Sequence, residues 1–221
     1  MPFASVRKLA DADFPTRWGH FRILGFEGVV ADPEPCSDQV PAPVRRTESA
    51  IALVLGDIVP AKPGAEPPIV RIHSQCLTGD VFHSLRCDCR QQLELALATI
   101  ADAGAGILIY ENQEGRGIGL MAKLQAYELQ DQGLDTIEAN LELGYKADCR
   151  EYELPAQILL SLGVRSVRLI TNNPAKVEAL EAVGVSVVER ISAEVSAEPE
   201  SARYLQTKRD KMGHLLSTLP V

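Results

Sequence analysis

The sequence lacks the features that mark several whole classes of protein. Aromatic residues make up only 5% of its 221 residues, and no apolar run approaches the roughly 18 residues that a membrane helix needs. The N-terminal residues contain no hydrophobic stretch long enough for a signal peptide. Positive charge is also scarce, since 22 Lys and Arg stand against 30 Asp and Glu, a formal net charge of −8. These absences exclude attachment to nucleic acid or membrane through bulk positive charge, and they predict a cytoplasmic protein.

Cysteine is scarce as well, with five residues spread unevenly along the chain. That number and spacing exclude a small secreted fold held together by disulfides. The remaining composition, 46% hydrophobic and 24% charged, is typical of a soluble globular protein rather than a disordered chain. The length allows one large domain or two small lobes, either of which has room for a hydrophobic core.

Within the first third of the chain, the amino-acid composition and the hydrophobic pattern change twice. Residues 1–30 combine short apolar groups with glycine turns and predict short strands. Residues 31–49 contain four prolines and almost no hydrophobic periodicity, which predicts a loop or mobile insertion. A link rich in proline and glycine over 60–68 separates two further strand-like runs. We therefore expect residues 1–68 to form a β-rich N-terminal portion.

From about residue 89 onward, strand and helix patterns alternate. Asp135 followed by Glu138 indicates a capping box, and Asn173 before Pro174 indicates a second helix start. The alternation predicts an α/β fold with a mixed, mostly parallel sheet flanked by helices. The predicted segments are a core over 69–191 and a C-terminal part over 192–221, which comprises a polar link over 192–201 and a charged helix over 202–217.

Three cysteines lie within 14 residues, in the pattern Cys76-x10-Cys87-x-Cys89. Three thiolates at this spacing can meet at one Zn²⁺, and a catalytic zinc keeps its fourth position open for water. A closed structural zinc site would need a fourth protein ligand, and simple burial of the thiols is a third alternative. The candidates for a fourth ligand are His73, His83 and the distant Cys149.

Two other motifs lie between a predicted strand and a predicted helix. In Gln113-Glu-Gly-Arg-Gly-Ile-Gly119, the glycines let the backbone approach a ligand, and Arg116 can grip a phosphate beside the helix start. Thr171-Asn-Asn-Pro-Ala-Lys176 lies at the carboxyl end of a strand, where α/β sheets bind ligands. Taken alone, each also fits a plain structural role, a tight turn for the first and helix capping for the second. The sequence contains neither a full dinucleotide fingerprint nor a P-loop.

In their order along the chain, these motifs resemble GTP cyclohydrolase II of riboflavin biosynthesis. The resemblance is carried by HSQCLTGDVFHSLRCDC, QEGRGIGL, LQDQGLDTIEAN and LITNNPAKVEAL, and it extends from about Arg71 to Arg190. Agreement is weaker before Arg71 and at KMGHLL, residues 211–216. The sequence carries no sign of the dihydroxybutanone phosphate synthase domain that some relatives have, so we expect the stand-alone form.

The resemblance implies an enzyme that converts GTP and water to formate, pyrophosphate and 2,5-diamino-6-hydroxy-4-(5-phosphoribosylamino)pyrimidine. It implies one Zn²⁺ per subunit, Mg²⁺ with the triphosphate, and a homodimer. The alternatives are a paralogue that stops at a formamide intermediate and a zinc-stabilised nucleotide-binding protein without turnover. A zinc deaminase is disfavoured because its H-x-E…P-C-x-x-C signature is absent, and a nucleic-acid-binding zinc module is disfavoured by the net charge.

The resemblance also implies roles for individual residues. It makes Tyr127 a residue of the catalytic site, Asp148 the proton acceptor and Arg150 the nucleophile on the α-phosphate. Taken alone, Tyr127 is typical of a helix core, and Asp148-Cys-Arg150 is typical of a surface. Arginine is a poor nucleophile because its pKa is above about 12, so a clamp on the α-phosphate is the alternative role for Arg150, and the sequence does not decide between the two. The implied zinc ligands are Cys76, Cys87 and Cys89. The residues implied to line the GTP site are Arg71, Ile72, His73, Ser74, Gln75, Gln92, Glu114, Gly115, Arg116, Thr136, Thr171 and Lys176.

Two places depart from the family pattern. Gln75 stands where many relatives have glutamate before the first cysteine, which removes a charge beside the metal site. Glu111-Asn112 stands where an arginine often precedes the Gln-Glu-Gly-Arg run, so one positive charge near the triphosphate is missing. Both changes bear on affinity or metal dependence more than on the class of reaction. Segment 31–49 is also longer than in compact relatives.

Overall fold

A computed structural model describes residues 5–31, 35–37, 45–59, 66–196 and 198–217 of the chain. Seven strands in these ranges form one sheet, in the order β1-β2-β3-β5-β4-β6-β7. The strands are β1 (Ser5–Thr16), β2 (Gly19–Ala31), β3 (Arg45–Leu55), β4 (Ile69–Ser74), β5 (Gly106–Glu111), β6 (Ser166–Ile170) and β7 (Ser186–Ile191). The helices are α1 (Leu77–Asp80), α2 (Cys89–Ala103), α3 (Leu120–Asp131), α4 (Thr136–Glu142), α5 (Glu153–Ser161), α6 (Pro174–Ala182) and α7 (Ala202–Met212).

The N-terminal strands form an antiparallel meander. β1 pairs with β2 from Ser5 opposite Val29 to Thr16 opposite Gly19. The two strands have 12 and 13 residues, so the N-terminal portion contains long strands where the sequence predicted short ones. The Thr16 hydroxyl closes the connection by accepting hydrogen bonds from the N–H groups of Trp18 and Gly19, at 3.1 and 3.2 Å. β1 is largely exposed, which explains why its apolar pattern is weak in the sequence.

The predicted loop over 31–49 extends too far at its C-terminal end. β3 begins at Arg45, so the last five residues of that segment are strand, and the prediction is wrong there. The reason is that Arg46 and Glu48 alternate with more exposed polar residues, so the strand period is present without an apolar face. Residues 32–34 and 38–44 of the segment, and 60–65 of the predicted link, lie outside the described residues.

The second half of the sheet positions the site. β5, β4, β6 and β7 are parallel, and β3 joins them antiparallel to β5. The predicted mixed α/β fold is confirmed, with three antiparallel and three parallel pairings; the parallel character belongs to the half with β4–β7. Ile72 and Leu108 are buried on opposite faces of these strands. Because parallel strands end at one edge, the loops after Ser74, Glu111 and Ile170 come together there.

The helices pack on both faces, α2 on one and α5 and α6 on the other. α4 begins with a complete capping box: Asp135 accepts from the N–H groups of Ile137 and Glu138, and the Glu138 side chain accepts from the N–H of Asp135. α6 begins at Asn173, whose side-chain oxygen accepts from the Ala175 N–H at 3.0 Å. Both predicted helix starts are therefore confirmed.

The C-terminal helix ends earlier than the predicted range 202–217. α7 stops at Met212 because Gly213 adopts a left-handed φ of 65° and caps it. The chain then returns to the sheet edge, where the Leu215 N–H donates to the Asn172 carbonyl at 2.9 Å. In the described ranges, the helices all fall short of the length and apolar character that crossing a membrane requires.

Candidate functional site

Three cysteine thiols meet at the carboxyl edge of the parallel strands. Cys76 follows β4, while Cys87 and Cys89 lie at the start of α2. The three Sγ atoms lie within 4.8 Å of one another, and those of Cys76 and Cys87 are 3.7 Å apart. Cys76 and Cys87 are buried, and Cys89 is partly so. The cluster can hold a metal ion, and three protein ligands leave one coordination position open.

Gly79 makes room for these thiols. A Cβ atom at this position would lie 2.9 Å from the Sγ of Cys87 and 3.2 Å from the Sγ of Cys76. The neighbouring Asp80 fixes the turn, because its Oδ2 accepts from the Cys76 N–H at 3.1 Å and from the Tyr110 hydroxyl at 2.7 Å. The turn between β4 and α2 is thus shaped around the sulfur cluster.

Without a metal, the three thiols do not ionise alike. Hydrogen bonds from Cys87 and Cys89 hold the pKa of Cys76 well below its ordinary value. The Cys76 thiolate then raises the pKa of Cys87 to about 11 and raises the pKa of Cys89 well above its usual range. The Lys123 ammonium lies 3.1 Å from the Cys76 sulfur and donates to Glu114 at 2.7 Å. Of the three sulfurs, Cys76 is therefore the one whose neighbours favour the thiolate.

The candidates for a fourth ligand do not join the cluster. The Nε2 of His73 lies 3.2 Å from the Asp80 carboxylate, and His83 is exposed. Cys149 forms a disulfide with Cys36, so the suggestion that Cys149 supplies a ligand is wrong. Across the described ranges, the metal-binding group consists of the three cysteines without either histidine. This favours the open site over the closed structural one.

Tyr127 on α3 lines the same cavity as the thiols. Its hydroxyl lies 3.2 Å from the Thr78 hydroxyl, and the Arg86 guanidinium sits 4.8 Å from its ring centre. Burial raises the pKa of Tyr127 to about 12. The hydroxyl therefore keeps its proton at neutral pH and can donate a hydrogen bond into the cavity.

Two neighbouring cavities meet at Arg150. The first, which we call the thiol cavity, is lined by the three cysteines, Tyr127 and Arg116. The second, the cation cavity, is lined by Arg71 and Lys176. Arg150 lines both cavities, and it also lines a third one beside Asp148. The sulfur cluster that could hold a metal ion and the buried Arg71 and Lys176 thus line two cavities that share the Arg150 guanidinium.

Asp148 and Arg150 form an ion pair on the loop between α4 and α5. Arg150 donates from Nε to Asp148 at 2.9 Å and from its backbone N–H at 3.0 Å. Burial opposes both charges, but Arg150 outweighs it and keeps the pKa of Asp148 below its usual value. Tyr152 and Asp148 likewise outweigh burial and keep the pKa of Arg150 well above its usual value. The side chains are 29% and 14% exposed, so the triplet is not the surface feature that its sequence alone suggests.

Two more cations are buried nearby. Arg71 on β4 donates to the side chain of Gln92 at 2.6 Å, and Lys176 donates to the Ile72 carbonyl at 2.8 Å. Burial, and after it the charge of Arg71, lowers the pKa of Lys176 well below its ordinary value. Within the described part of the chain, the Nε of Arg71 and one Nη of Arg116 have no hydrogen-bond partner. Unpaired buried N–H groups are costly, so the cavities suit an anion that would accept from them.

The structure brings most of the predicted ligand-site residues to the two cavities. The thiol cavity is lined by Ser74, Gln75, Glu114, Gly115, Arg116 and Thr136. The cation cavity is lined by Arg71, His73, Gln92, Thr171 and Lys176. Ile72 differs from the rest, because its side chain is fully buried in the core and its carbonyl reaches the site only through Lys176.

Several residues of the site were not predicted. Tyr204 on α7 lies between the guanidinium of Arg116 and the ammonium of Lys208, at 5.6 and 4.4 Å from its ring centre. Lys208 donates to Asp88 at 2.9 Å, which connects α7 to the start of α2. The sequence signals the unpredicted residues in two ways only. One is the weak agreement of KMGHLL with the family pattern, and the other is the position of Lys123, one helical turn before Tyr127. The unpredicted residues are Lys123, Tyr204, Lys208 and His214.

The residues that depart from the family pattern differ in burial and in whether they line the site. Gln75 lines the thiol cavity beside Cys76. Glu111 is buried under Ser74, whose hydroxyl donates to it at 2.6 Å, and burial raises the pKa of Glu111. Asn112 is exposed and donates to Ser49 at 3.0 Å. Gln75 is therefore the departure that changes the lining of the site.

These observations define a class of protein: an α/β protein with three thiols that could hold a metal ion, and with buried arginine N–H groups that could donate to an anion, at the carboxyl edge of its parallel strands. The family model for GTP cyclohydrolase II matches residues 7–192, and the chain belongs to that family.

Similar proteins of known name fall into two size classes. The chain is 48% identical over 211 residues to GTP cyclohydrolase-2 of Proteus mirabilis, covering 96% of each chain. It is 49% identical over 215 residues to the riboflavin biosynthesis protein RibBA of Mycobacterium avium, covering 97% of this chain and 47% of that protein. The match to RibBA of Mycobacterium tuberculosis (strain H37Rv) has the same identity and the same coverage. The chain thus spans about half the length of the RibBA relatives.

Proposed function

We propose that the protein is a zinc-dependent GTP cyclohydrolase II. It hydrolyses GTP to 2,5-diamino-6-hydroxy-4-(5-phosphoribosylamino)pyrimidine, formate and pyrophosphate, the first step of riboflavin biosynthesis. The observation that carries this proposal is that the thiol cavity and the cation cavity meet at Arg150. A substrate with a ring to open and a triphosphate to cleave needs both kinds of surroundings. Membership of the GTP cyclohydrolase II family supports the same reaction.

The zinc ligands in this proposal are Cys76, Cys87 and Cys89. Thiolate sulfur is a preferred donor for Zn²⁺, and the space left by Gly79 fits a cluster of three sulfurs. Bound zinc supplies a Lewis acid that polarises the substrate and makes water more acidic. The Lys123 ammonium beside Cys76 offsets part of the negative charge that three thiolates bring.

In the thiol cavity, which would hold the guanine base, the chain supplies a hydrogen-bond donor. Opening the imidazole ring of guanine and then releasing formate require two hydrolytic attacks on the same carbon. The first attack, on the C=N bond of the ring, moves negative charge to the ring nitrogen, and the second, on the formamide carbonyl, creates a tetrahedral centre with a developing negative oxygen. The protonated Tyr127 hydroxyl lines this cavity and donates a hydrogen bond to that oxygen.

At the phosphate end, the chain supplies fixed positive charge. Arg150 remains a cation, which supports a role as a clamp on the α-phosphate rather than as a covalent nucleophile. Asp148 orients Arg150 and is the group that accepts a proton from water. The buried Arg71 neutralises charge on the leaving pyrophosphate, and the bound anion in turn favours the charged form of the buried Lys176, whose pKa burial lowers; Mg²⁺ accompanies the triphosphate.

The rest of the proposal concerns organisation. Residues 69–191 would contain the metal and GTP sites, and the active form would be a homodimer in the cytoplasm. The further residues proposed to contact GTP are Ile72 through its carbonyl, His73, Ser74, Gln75, Gln92, Glu114, Gly115, Arg116, Thr136 and Thr171.

The proposal is tested by incubating the zinc-loaded protein with GTP and Mg²⁺ and measuring formate and pyrophosphate separately. We expect equal amounts of both. Pyrophosphate without formate would instead identify a paralogue that stops at the formamide, and tight binding without either product would identify a nucleotide-binding protein.

The variant Cys87→Ser tests the metal site directly. It should lose bound zinc and abolish formate release while leaving the far-UV circular dichroism unchanged. Cys36→Ser removes a cysteine outside the cluster and serves as the matched control for zinc content. Formate release that persists without zinc would contradict the proposed role of the three thiols.

A further inference from the structure

The remaining two cysteines are joined next to the ion pair. Cys36 and Cys149 form a disulfide across a sequence separation of 113 residues, with their Cα atoms 5.5 Å apart. That Cα distance is ordinary for a disulfide. Cys149 lies between Asp148 and Arg150 in the chain. The disulfide is therefore anchored on the residue between the two side chains that form the ion pair at the phosphate end of the site.

The loop that carries Asp148 and Arg150 is held from one side by the turn after β5. The Cys149 N–H donates to the Arg116 carbonyl at 3.0 Å, and Gln113 both donates to and accepts from the backbone of Glu151. Gly117 presses against this loop, because a Cβ atom there would lie 3.0 Å from the backbone of Cys149. These contacts belong to the core of the site and do not depend on the redox state of any cysteine.

From the other side, the loop is held by the segment 35–37. The Lys146 N–H donates to the Cys36 carbonyl at 3.0 Å, and Ser37 pairs with Tyr145 in an isolated antiparallel bridge. The disulfide is the covalent part of this second contact. Because reduction removes the one covalent link, opening of segment 35–37 costs less free energy in the reduced protein, so the disulfide sets how firmly the segment stays against the loop.

Small thiols and disulfides can reach this bond. Cys36 and Cys149 are both partly exposed, and Cys149 lines an open cleft beside Arg46 and Glu48. In contrast, Cys76 and Cys87 of the metal cluster are buried and remain free thiols. The five cysteines therefore divide into a metal-binding cluster and a separate pair that is open to thiol–disulfide exchange.

We propose that Cys36 and Cys149 are a reversible thiol–disulfide modification site that controls the order of the Asp148–Arg150 loop. Oxidation by a low-molecular-weight disulfide converts two protein thiols to one disulfide and releases two small thiols, which carry the two protons. Reduction by a thiol runs the same exchange backwards. In the oxidised protein segment 35–37 is tied to the loop by a covalent bond, and in the reduced protein it is held there by noncovalent contacts alone, while the contacts of Gln113 and Gly117 stay the same.

The consequence for catalysis rests on the proposed function. A displacement of about 1 Å in a catalytic group can cost on the order of 100-fold in rate, so we expect reduction to slow pyrophosphate release by about tenfold. The zinc content should stay the same, because the metal cluster shares no residue with the pair.

The test begins with thiol counting and hydrogen exchange, which require no turnover. Protein treated with glutathione disulfide and then denatured with a chelator should take up iodoacetamide at three cysteines, and at all five after reduction. Backbone amides over 145–151 should exchange about tenfold faster in the reduced protein. The peptide that covers α2 (Cys89–Ala103) serves as the internal reference and should not change.

The variant Cys36→Ser separates this pair from the metal cluster. It should show the fast exchange and the slower pyrophosphate release of reduced wild type, and glutathione disulfide should not restore the values of the oxidised wild type. Reduced wild-type protein gives the same comparison without any substitution, should the variant fold poorly. Five modified cysteines in the oxidised protein, or equal exchange over 145–151 in both forms, would overturn the proposal.

The rate measurement distinguishes the two proposals. Equal pyrophosphate release in both redox forms would overturn the catalytic consequence of the modification. Absence of turnover in both forms, together with the expected difference in exchange, would count against the proposed function and would support the modification site.

Discussion

The two ends of the site are built in different ways. The thiol end comes from one short stretch of chain, in which Cys76, Cys87 and Cys89 lie around Gly79. The cation end is gathered from separate elements: a strand for Arg71, a loop for Arg150, and helices for Lys176 and Lys208. The thiol end is therefore specified by local spacing, and the cation end exists only in the folded chain. The proposed reaction makes the same division, since one end acts on the ring and the other on the phosphates.

The largest expected effect is the loss of pyrophosphate release when Arg150, at the cation end, is replaced. Arg150→Ala removes the cation at the junction and leaves the partly buried Asp148 without its partner. We expect pyrophosphate release to fall by about 1,000-fold, in the range measured when one charge-stabilising donor is lost. Arg150→Lys keeps the charge but not the planar fork, so its loss should be smaller, about tenfold to thirtyfold. Single-turnover assays of pyrophosphate provide the measurement, and a wild-type rate in Arg150→Lys would contradict a clamp that needs the guanidinium.

The sequence predicts the two ends unequally for the same reason. The metal cluster follows from cysteine spacing, and the starts of α4 and α6 follow from Asp135 and Asn173, because each depends on neighbours in the chain. Lys208 and Tyr204 were missed because α7 reaches the site only through tertiary packing. The Cys36–Cys149 disulfide was missed because residues 113 positions apart carry no local signal of contact. The resemblance to a family identified cations that spacing alone could not.

Replacing Tyr127 should sharpen the division between the ends. Tyr127→Phe removes one hydroxyl donor from the thiol cavity and leaves the ring packed against Arg86. We expect formate release to fall by about 100-fold and pyrophosphate release by less than about threefold, because only the ring chemistry uses this donor. Both products should be measured in the same reaction at unchanged zinc content. Equal losses in both products would show that Tyr127 supports the whole site rather than its base end.

Adding one methyl group at Gly79 tests how closely the thiol end is shaped. Gly79→Ala places a Cβ atom 2.9 Å from the Cys87 sulfur, so the turn must shift. We expect zinc affinity to fall by about tenfold to hundredfold, as when supporting residues around a metal are lost. A zinc-chelator competition assay measures this. Gly25→Ala is the matched control, since its Cβ would meet only an ordinary contact at 3.5 Å from Ala10. Wild-type affinity in Gly79→Ala would show that the cluster does not need this space.

The smallest expected effect is in the pH dependence of the free energy of unfolding, to which His214 at the cation end contributes. Burial, and then the charge of Lys208, lowers the pKa of His214 to about 3. The unfolded chain binds this proton near pH 6.5, whereas the folded chain stays neutral, so the free energy of unfolding falls as the pH drops from about 6.5 toward 3. The slope is at most about 1.4 kcal/mol per pH unit, and less here because His214 is partly exposed.

Urea unfolding at several pH values measures this slope, and His214→Asn should reduce it. His83→Asn, at an exposed position with a left-handed φ of 56° that asparagine tolerates, is the matched control. Pyrophosphate supplies the opposing charge, so saturating pyrophosphate should raise the pKa of His214 and flatten the wild-type slope. A slope that pyrophosphate leaves unchanged would place the bound anion away from His214, and the cation cavity would then not be the phosphate end of the site.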